Sequence, residues 1–274
     1  MAKALVNGVN LHYWQVGEGS PLILIHGLTG NLAVWHFTVV SRLRHEYKML
    51  TYDLRGHGRS DMPATNYTTA DMARDLLGLM DHLGIDKAHM LGHSLGADIA
   101  LHLAVSNPDR VDKIVAVEAG LAALADLRKD PDWPGWAEWA HMLERYAGVE
   151  VPREKWSDIR YMLEQSLQVP IHFGPARGLP RKRNGLLKLL DTTTLVEDYQ
   201  DSSGLTVEDL SRIQSPILLV YGGDSAYLGT YKVLRTGLSD TRSVILQDCA
   251  HFGALERPDE LVAAVRDFLK DGSE

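Results

Sequence analysis

Short apolar runs that end in glycine-punctuated turns alternate with segments of helical periodicity, and this rhythm constrains the chain more than any other feature. Strand-like runs fall at 21–25, 47–52, 88–92 and 111–118, separated by helical patterns near 35–44, 69–83 and 95–106. Such alternation marks α/β units, whose crossover helices make the strands parallel. Residues 3–6 and 9–16 flank Asn7-Gly8, the strongest short hairpin signal, so an antiparallel pair opens the sheet. Runs at 216–221 and 243–248 supply the last strands. The expected fold is α/β: a mostly parallel, twisted sheet of about eight strands flanked by helices. Ligands of such sheets bind beyond the carboxyl ends of the strands.

One of those ends carries Gly92-His93-Ser94-Leu95-Gly96, between the apolar run Ala88, Met90, Leu91 and a helical pattern through Ile99, Leu101 and Leu103. A serine on so tight a strand-to-helix turn is a nucleophile elbow. Side chains two before and two after it would collide, and glycine removes the collision. The motif alone is not specific, so its context has to carry the argument. A second apolar run, Pro21-Leu22-Ile23-Leu24-Ile25, ends in His26-Gly27-Leu28-Thr29-Gly30. The N–H of Leu28 there and the N–H of Leu95, which opens the helix after Ser94, are the expected oxyanion donors.

With Asp53-Leu54-Arg55-Gly56-His57-Gly58-Arg59-Ser60 between these two motifs, the order and spacing resemble the α/β-hydrolase fold superfamily, in its esterase, lactonase and carbon-carbon hydrolase branch. The resemblance covers about residues 1–120 and 205–272. It implies that Asp53 and Arg55 tie a loop near the site, and that His57 and His93 pack locally. The dehalogenase and epoxide-hydrolase branches place an aspartate where Ser94 stands, which argues against those activities here.

A serine needs a base held by a carboxylate. The resemblance places the base at His251, in Cys249-Ala250-His251-Phe252-Gly253 after the last strand, before Glu256-Arg257-Pro258. The acid departs from the family pattern. The strand at 216–221 is followed by Gly222-Gly223-Asp224-Ser225-Ala226, which puts Asp224 one residue early for G-x-x-D, while in the related G-x-x-S-D register the aspartate position is Ala226. Asp224 is the preferred acid. Glu118, at the end of the strand run from Lys113, is the alternative, because some lactonases of this fold take their acid from that strand.

From 119 to 206 the β/α rhythm stops. Trp133, Trp136, Trp139, Met142 and Tyr146 recur at spacings of three and four, the period of a helix. The expected organisation is a core of residues 1–118 and 207–274, with a helical cap at 119–206 inserted after strand six. Trp35, Trp136, Trp139 and Met142 are the expected substrate-binding residues, in a pocket suited to an apolar or aromatic group rather than a charged one. The basic run from Arg177 to Arg183 reads as a solvated loop, with recognition of a substrate carboxylate as the sharper alternative.

The 274 residues, 45% hydrophobic, suffice for one large core and an appended layer, and the one cysteine, Cys249, excludes an internal disulfide and is expected to be buried beside the site. Net charge of −8 disfavours a nucleic-acid partner. No run reaches the ~18 apolar residues of a membrane span, and the N-terminus lacks the apolar stretch of a signal peptide, so a soluble, cytoplasmic protein is expected. No zinc-ligand spacing, dinucleotide fingerprint or P-loop occurs, so no cofactor or metal is expected. The expected function is serine-dependent cleavage of a carboxylic ester or lactone of a small molecule through an acyl-enzyme. Hydrolysis of a carbon-carbon bond in a vinylogous diketone, or ligand sensing without turnover, are the alternatives.

Overall fold

Eight strands among the described residues form one sheet: β1 Ala2–Val6, β2 Val9–Val16, β3 Ser20–Ile25, β4 Tyr47–Tyr52, β5 Ala88–His93, β6 Val111–Val117, β7 Ile217–Gly222 and β8 Thr241–Leu246. The structure, a computed structural model, describes residues 2–170 and 183–271. The order across the sheet is β1-β2-β4-β3-β5-β6-β7-β8. β2 runs antiparallel to β1 and β4, and every other pairing is parallel. Asn7 and Gly8 both take positive φ (48° and 77°), as the tight hairpin between β1 and β2 requires.

Seven longer helices are used below: α1 Thr69–His82, α2 Leu95–Ser106, α3 Pro134–Ala147, α4 Ile159–Ser166, α5 Arg183–Thr192, α6 Leu228–Gly237 and α7 Pro258–Lys270. α1 starts at a capping box, in which the Thr68 hydroxyl takes the Asp71 N–H and the Asp71 carboxylate takes the Thr68 N–H. The sheet separates two apolar layers, and side-chain alternation along a strand decides membership. Ile23 and Ile25 of β3 pack with the layer containing α1 and α2, Leu22 and Leu24 with the layer containing α7. β3 is therefore apolar on both faces, which explains its unbroken run.

Several strand bounds shift by one residue from the sequence reading, and two elements differ by more. β8 begins and ends two residues early, because Gly223 N–H takes the Leu246 carbonyl (2.8 Å) and Asp248 turns into the left-handed region at φ 54°. The helical stretch near 35–44 spans 33–43 and contains a π-turn at His36–Val40, where the Thr38 hydroxyl donates to the Val34 carbonyl.

Between β6 and β7 the described residues form no strand: a 3₁₀ segment, Ala122–Lys129, leads into α3, α4 and α5. Pro134 starts α3 without sacrificing a bond, Trp136, Ala140 and Leu143 bury one stripe, and Gly148 at φ 64° ends the helix. The basic run Arg177–Arg183 lies outside the described residues, apart from the backbone of its last position.

The parallel register lines up the strand ends. Ile25 pairs with Tyr52 and with Gly92, His93 with Val117, Val117 with Val220, and Gly222 with Leu246. The segments that leave these ends are those carrying His26–Gly30, Ser94, Glu118, Gly222–Ala226 and His251. Five stretches up to 225 residues apart in sequence therefore meet along one edge.

Candidate active site

Ser94 sits between β5 and α2 with φ 54° and ψ −122°, a conformation that costs on the order of 1–3 kcal/mol in a non-glycine residue. Its N–H donates to the Val117 carbonyl (2.8 Å), and its own carbonyl accepts from Ala97 and Asp98. The flanking glycines are required by backbone. A Cβ on Gly92 would collide with the Gly96 carbonyl, and one on Gly96 with the Ile25 carbonyl. Leu95 is the first residue of α2, so its N–H has no acceptor within the helix. Gly27 lies against the nucleophile turn, where an added Cβ would come within 3.1 Å of Ser94 Cβ. Leu28, next along that loop, faces the same cleft.

His26 pins this loop. Leu54 N–H donates to its Nε2 (3.1 Å), which leaves Nδ1 as the donor to the Gly27 carbonyl (2.8 Å). Burial holds the imidazole down at about 4, in its neutral form. Asp53 ties the loops from the other side, accepting from Leu32 N–H, Arg59 N–H and His12 Nδ1. Arg55 makes a buried, two-pronged pair with Asp75 (2.7 and 2.6 Å). His57 is buried with Nδ1 on the Arg55 carbonyl, and burial lowers its pKa.

His251 lies at the mouth of the β8 loop, with ring centroids of Tyr227 and His93 each 4.9 Å away and that of Phe252 at 5.0 Å. Its Nδ1 is 3.3 Å from Glu118 Oε2. Glu118 follows β6 with φ 54°, a turn that carries its side chain across the end of β7. There Gly222 N–H donates to Oε1 (2.6 Å) and the Ser225 hydroxyl donates to Oε2. The carboxylate is 1% exposed and satisfied on both oxygens.

Asp224, the acid preferred from sequence, does not meet His251. Its N–H is taken by the Cys249 carbonyl (2.8 Å), which turns the side chain outward to an exposed pair with Arg145 (2.8 Å). The one-residue offset in the loop is therefore real, and Ser225 occupies the inward position. Cys249 is buried beside this turn, and burial pushes its thiol pKa up.

Ser94, His93 and His251 border a cleft that is partly open to solvent. Trp139 and Met142 of α3 line it. Trp35 and Trp136 do not. Trp35 is fully buried in the α7-side core layer, and its neighbour Val34 reaches the cleft instead. Trp136 belongs to the buried stripe of α3, stacked on Trp139 at 6.0 Å with its indole N–H on the Asp130 carbonyl. Within one helix, the three-residue step from 136 to 139 separates core from cleft.

Leu163, Ser166 and Val169 from the α4 region, with Tyr199 and Tyr227, complete the wall and were not identified from sequence. Phe252 was identifiable only as the neighbour of His251. Among the described residues, no Asp, Glu, Lys or Arg lines the cleft. Among the described residues no three His, Cys, Asp or Glu side chains are grouped to hold a metal ion, and no helix is long and apolar enough to cross a membrane.

A family model for the alpha/beta hydrolase fold matches residues 20–258. A soluble epoxide hydrolase from Corynebacterium is 34% identical over 116 residues, 42% of this chain and 40% of that protein, so the match spans less than half of either. Among solved structures, Est816, described as an N-acyl homoserine lactone degrading enzyme, superposes with a TM-score of 0.70 at 24% identity, covering 97% of this chain and 99% of that one. The meta-cleavage product hydrolase of Pseudomonas fluorescens superposes with a TM-score of 0.72 at 23% identity, over 100% of this chain and 98% of that one. At these identities the two structures establish likeness of fold.

Proposed function

Because the chain belongs to the α/β-hydrolase fold family and carries serine rather than aspartate at its elbow, we propose that it cleaves a carboxylic ester or lactone of an apolar small molecule by serine-dependent acyl transfer. The observation that carries this reading is the buried Glu118–His251 contact in the cleft that Ser94 borders. Glu118 orients the imidazole through Nδ1, leaving Nε2 to take the Ser94 proton. Ser94 Oγ attacks the carbonyl, and the N–H groups of Leu28 and Leu95 hold the oxyanion, each donor contributing about 10²–10³ in rate. His251 then returns the proton to the leaving alcohol, and water, activated by the same imidazole, releases the acid.

The charge-free wall of Leu28, Val34, Trp139, Met142, Leu163 and Phe252 supports an apolar group beside the scissile carbonyl. In this reading the helices between β6 and β7 act as a cap, with α3 and α4 supplying the roof. A sensor without turnover drew its support from the offset of Asp224. The 3.3 Å approach of Glu118 Oε2 to His251 Nδ1 weakens that support.

Proton release in a pH-stat tests the reading over a panel of aliphatic esters, aryl esters, lactones and vinylogous diketones, with Ser94→Ala as the blank. Serine-dependent acid release from esters or lactones supports it. Release from diketones alone replaces it with carbon-carbon hydrolysis, and no release above the blank across the panel returns the sensor to first place.

A further inference from the structure

Arg128 is a buried guanidinium, 5% exposed, at the end of the 3₁₀ segment that follows β6. Burying a charge is costly unless it is paired, yet among the described residues no carboxylate forms an ion pair with it. Its Nη1 donates to the Tyr199 carbonyl (2.6 Å), and its Cζ lies over the Tyr199 ring, 4.3 Å from the centroid. A guanidinium has five N–H donors, so one hydrogen bond leaves most of its capacity unused.

Asp98 is the nearest acid in the electrostatic sense, and it is committed elsewhere. Its carboxylate accepts from the N–H groups of Leu121 (2.8 Å) and Gly120. Asp98 Oδ2 and Arg128 Nη2 each lie 3.4 Å from the point where a Cβ on Gly120 would stand, without forming an ion pair. Burial pushes the Asp98 carboxyl up to about 7 even against the pull of Arg128, so at neutral pH it is only partly ionised.

Arg128 also borders space. A second hollow behind the cleft shares Trp139, Met142, Tyr199 and Tyr227 with it, then adds Arg128 and Ala226. On this side Arg128 is the one charged residue of the lining among the described residues. On its other side a third hollow is bordered by Asp98, Asp198 and Asp201, which would repel an anion.

We propose that Arg128 anchors a carboxylate carried by the substrate at the end remote from the scissile carbonyl, with the second hollow as its binding site. The inference rests on the ester or lactone reading above and sharpens its substrate class. The body of the substrate lies on the apolar wall beside Ser94, and its anionic end passes beneath Trp139 and Met142 to the guanidinium. Tyr199 holds the guanidinium through both its ring face and its carbonyl, and the remaining N–H groups are the donors a carboxylate would engage.

The test uses methyl esters of linear dicarboxylic monoacids of increasing spacer length, ω-carboxyalkyl acetates as the alcohol-side series, and for each the neutral analogue with methyl in place of the carboxylate. Acid release gives kcat/KM for wild type, Arg128→Gln and Arg128→Lys. The expected result is a carboxylate-over-methyl ratio above one at one spacer length, falling on the order of ten- to a hundredfold in Arg128→Gln and less in Arg128→Lys. Because the ratio is taken within one protein, a general loss of activity cancels. A wild-type ratio at or below one at every length overturns the inference, as does a ratio that survives Arg128→Gln. If that variant does not fold, the wild-type profile and Arg128→Lys decide. Turnover of neutral esters without preference sinks this inference alone; absence of serine-dependent turnover in every series removes the reading beneath it as well.

Discussion

Glu118 Oε2 stands 3.3 Å from His251 Nδ1 across 133 residues of sequence, and the loop between them in space donates Gly222 N–H and the Ser225 hydroxyl to the same carboxylate. The acid is thus held by three groups from two strand ends, β7 and β8, while it is itself delivered by β6. Asp224, two residues beyond β7, faces solvent.

Removing the orienting carboxylate separates these two acids. Glu118→Gln is expected to lower kcat by about 10⁴, the scale seen when a triad acid becomes an amide. Asp224→Asn breaks only an exposed pair with Arg145 and is expected to change stability by less than about 1 kcal/mol. Steady-state rates of the two variants on one ester decide. Equal losses in both would mean that the β7 loop rearranges to bring Asp224 inward.

Ser94→Ala and His251→Ala are expected to lose about 10⁶ in kcat each, and the double variant little more, because the two act as one unit. The measurement is single and double kcat values on the best ester from the panel. Losses that multiply in the double variant would show that the residues do not share a step.

In the proposed mechanism Ser225 acts as a positioning residue. Its hydroxyl donates to Glu118 and accepts from Tyr227 N–H (3.0 Å), and the Tyr227 ring packs on His251. Ser225→Ala should lower kcat about tenfold, the scale of one hydrogen bond to a charged group, with a smaller change in KM. Ser225→Thr, which keeps the hydroxyl, should recover part of the loss. A KM effect with kcat intact would reassign the residue to shaping the cleft.

Asp98 couples stability to pH in the direction opposite to an ordinary carboxylate. Burial pushes its folded pKa up to about 7 from the ordinary 3.8 of an aspartate, so between these values the folded protein holds a proton that the unfolded chain has released. The contribution is full below about pH 4 and is lost as pH rises through 7, on the order of 4 kcal/mol over the whole window. Asp98→Asn can still accept from Leu121 N–H but cannot titrate. Thermal melts should find it close to wild type at pH 4 and more stable at pH 8. His26, whose depressed pKa destabilises the fold on acidification, is common to both proteins and cancels. A difference that stays constant with pH would mean that Asp98 does not titrate in this range.

The sheet was legible in the sequence because strand and helix periodicities are local, and because apolar residues on both faces of β3 and β5 leave only a central position for them. The elbow was legible for a similar reason: Gly92 and Gly96 are dictated by backbone collisions within a few residues of Ser94 and with the adjacent strand. The position of His251 followed from the order of the motifs. Which tryptophan faces the cleft was not legible. Trp136 and Trp139 share a helix and a residue type, and their separation depends on where α3 rests against the core.

The sequence by itself determined the α/β fold and the strand ends at which Ser94, His251 and two candidate acids lie, since glycine-turn chemistry and hydrophobic period act over a few residues. Only the tertiary structure shows which candidate acid meets His251. One backbone hydrogen bond, from Asp224 N–H to the Cys249 carbonyl, turns Asp224 outward, and the left-handed turn at Glu118 sends its carboxylate across β7. The unpaired burial of Arg128 was likewise invisible, because whether a charge has a partner depends on residues brought together from across the chain.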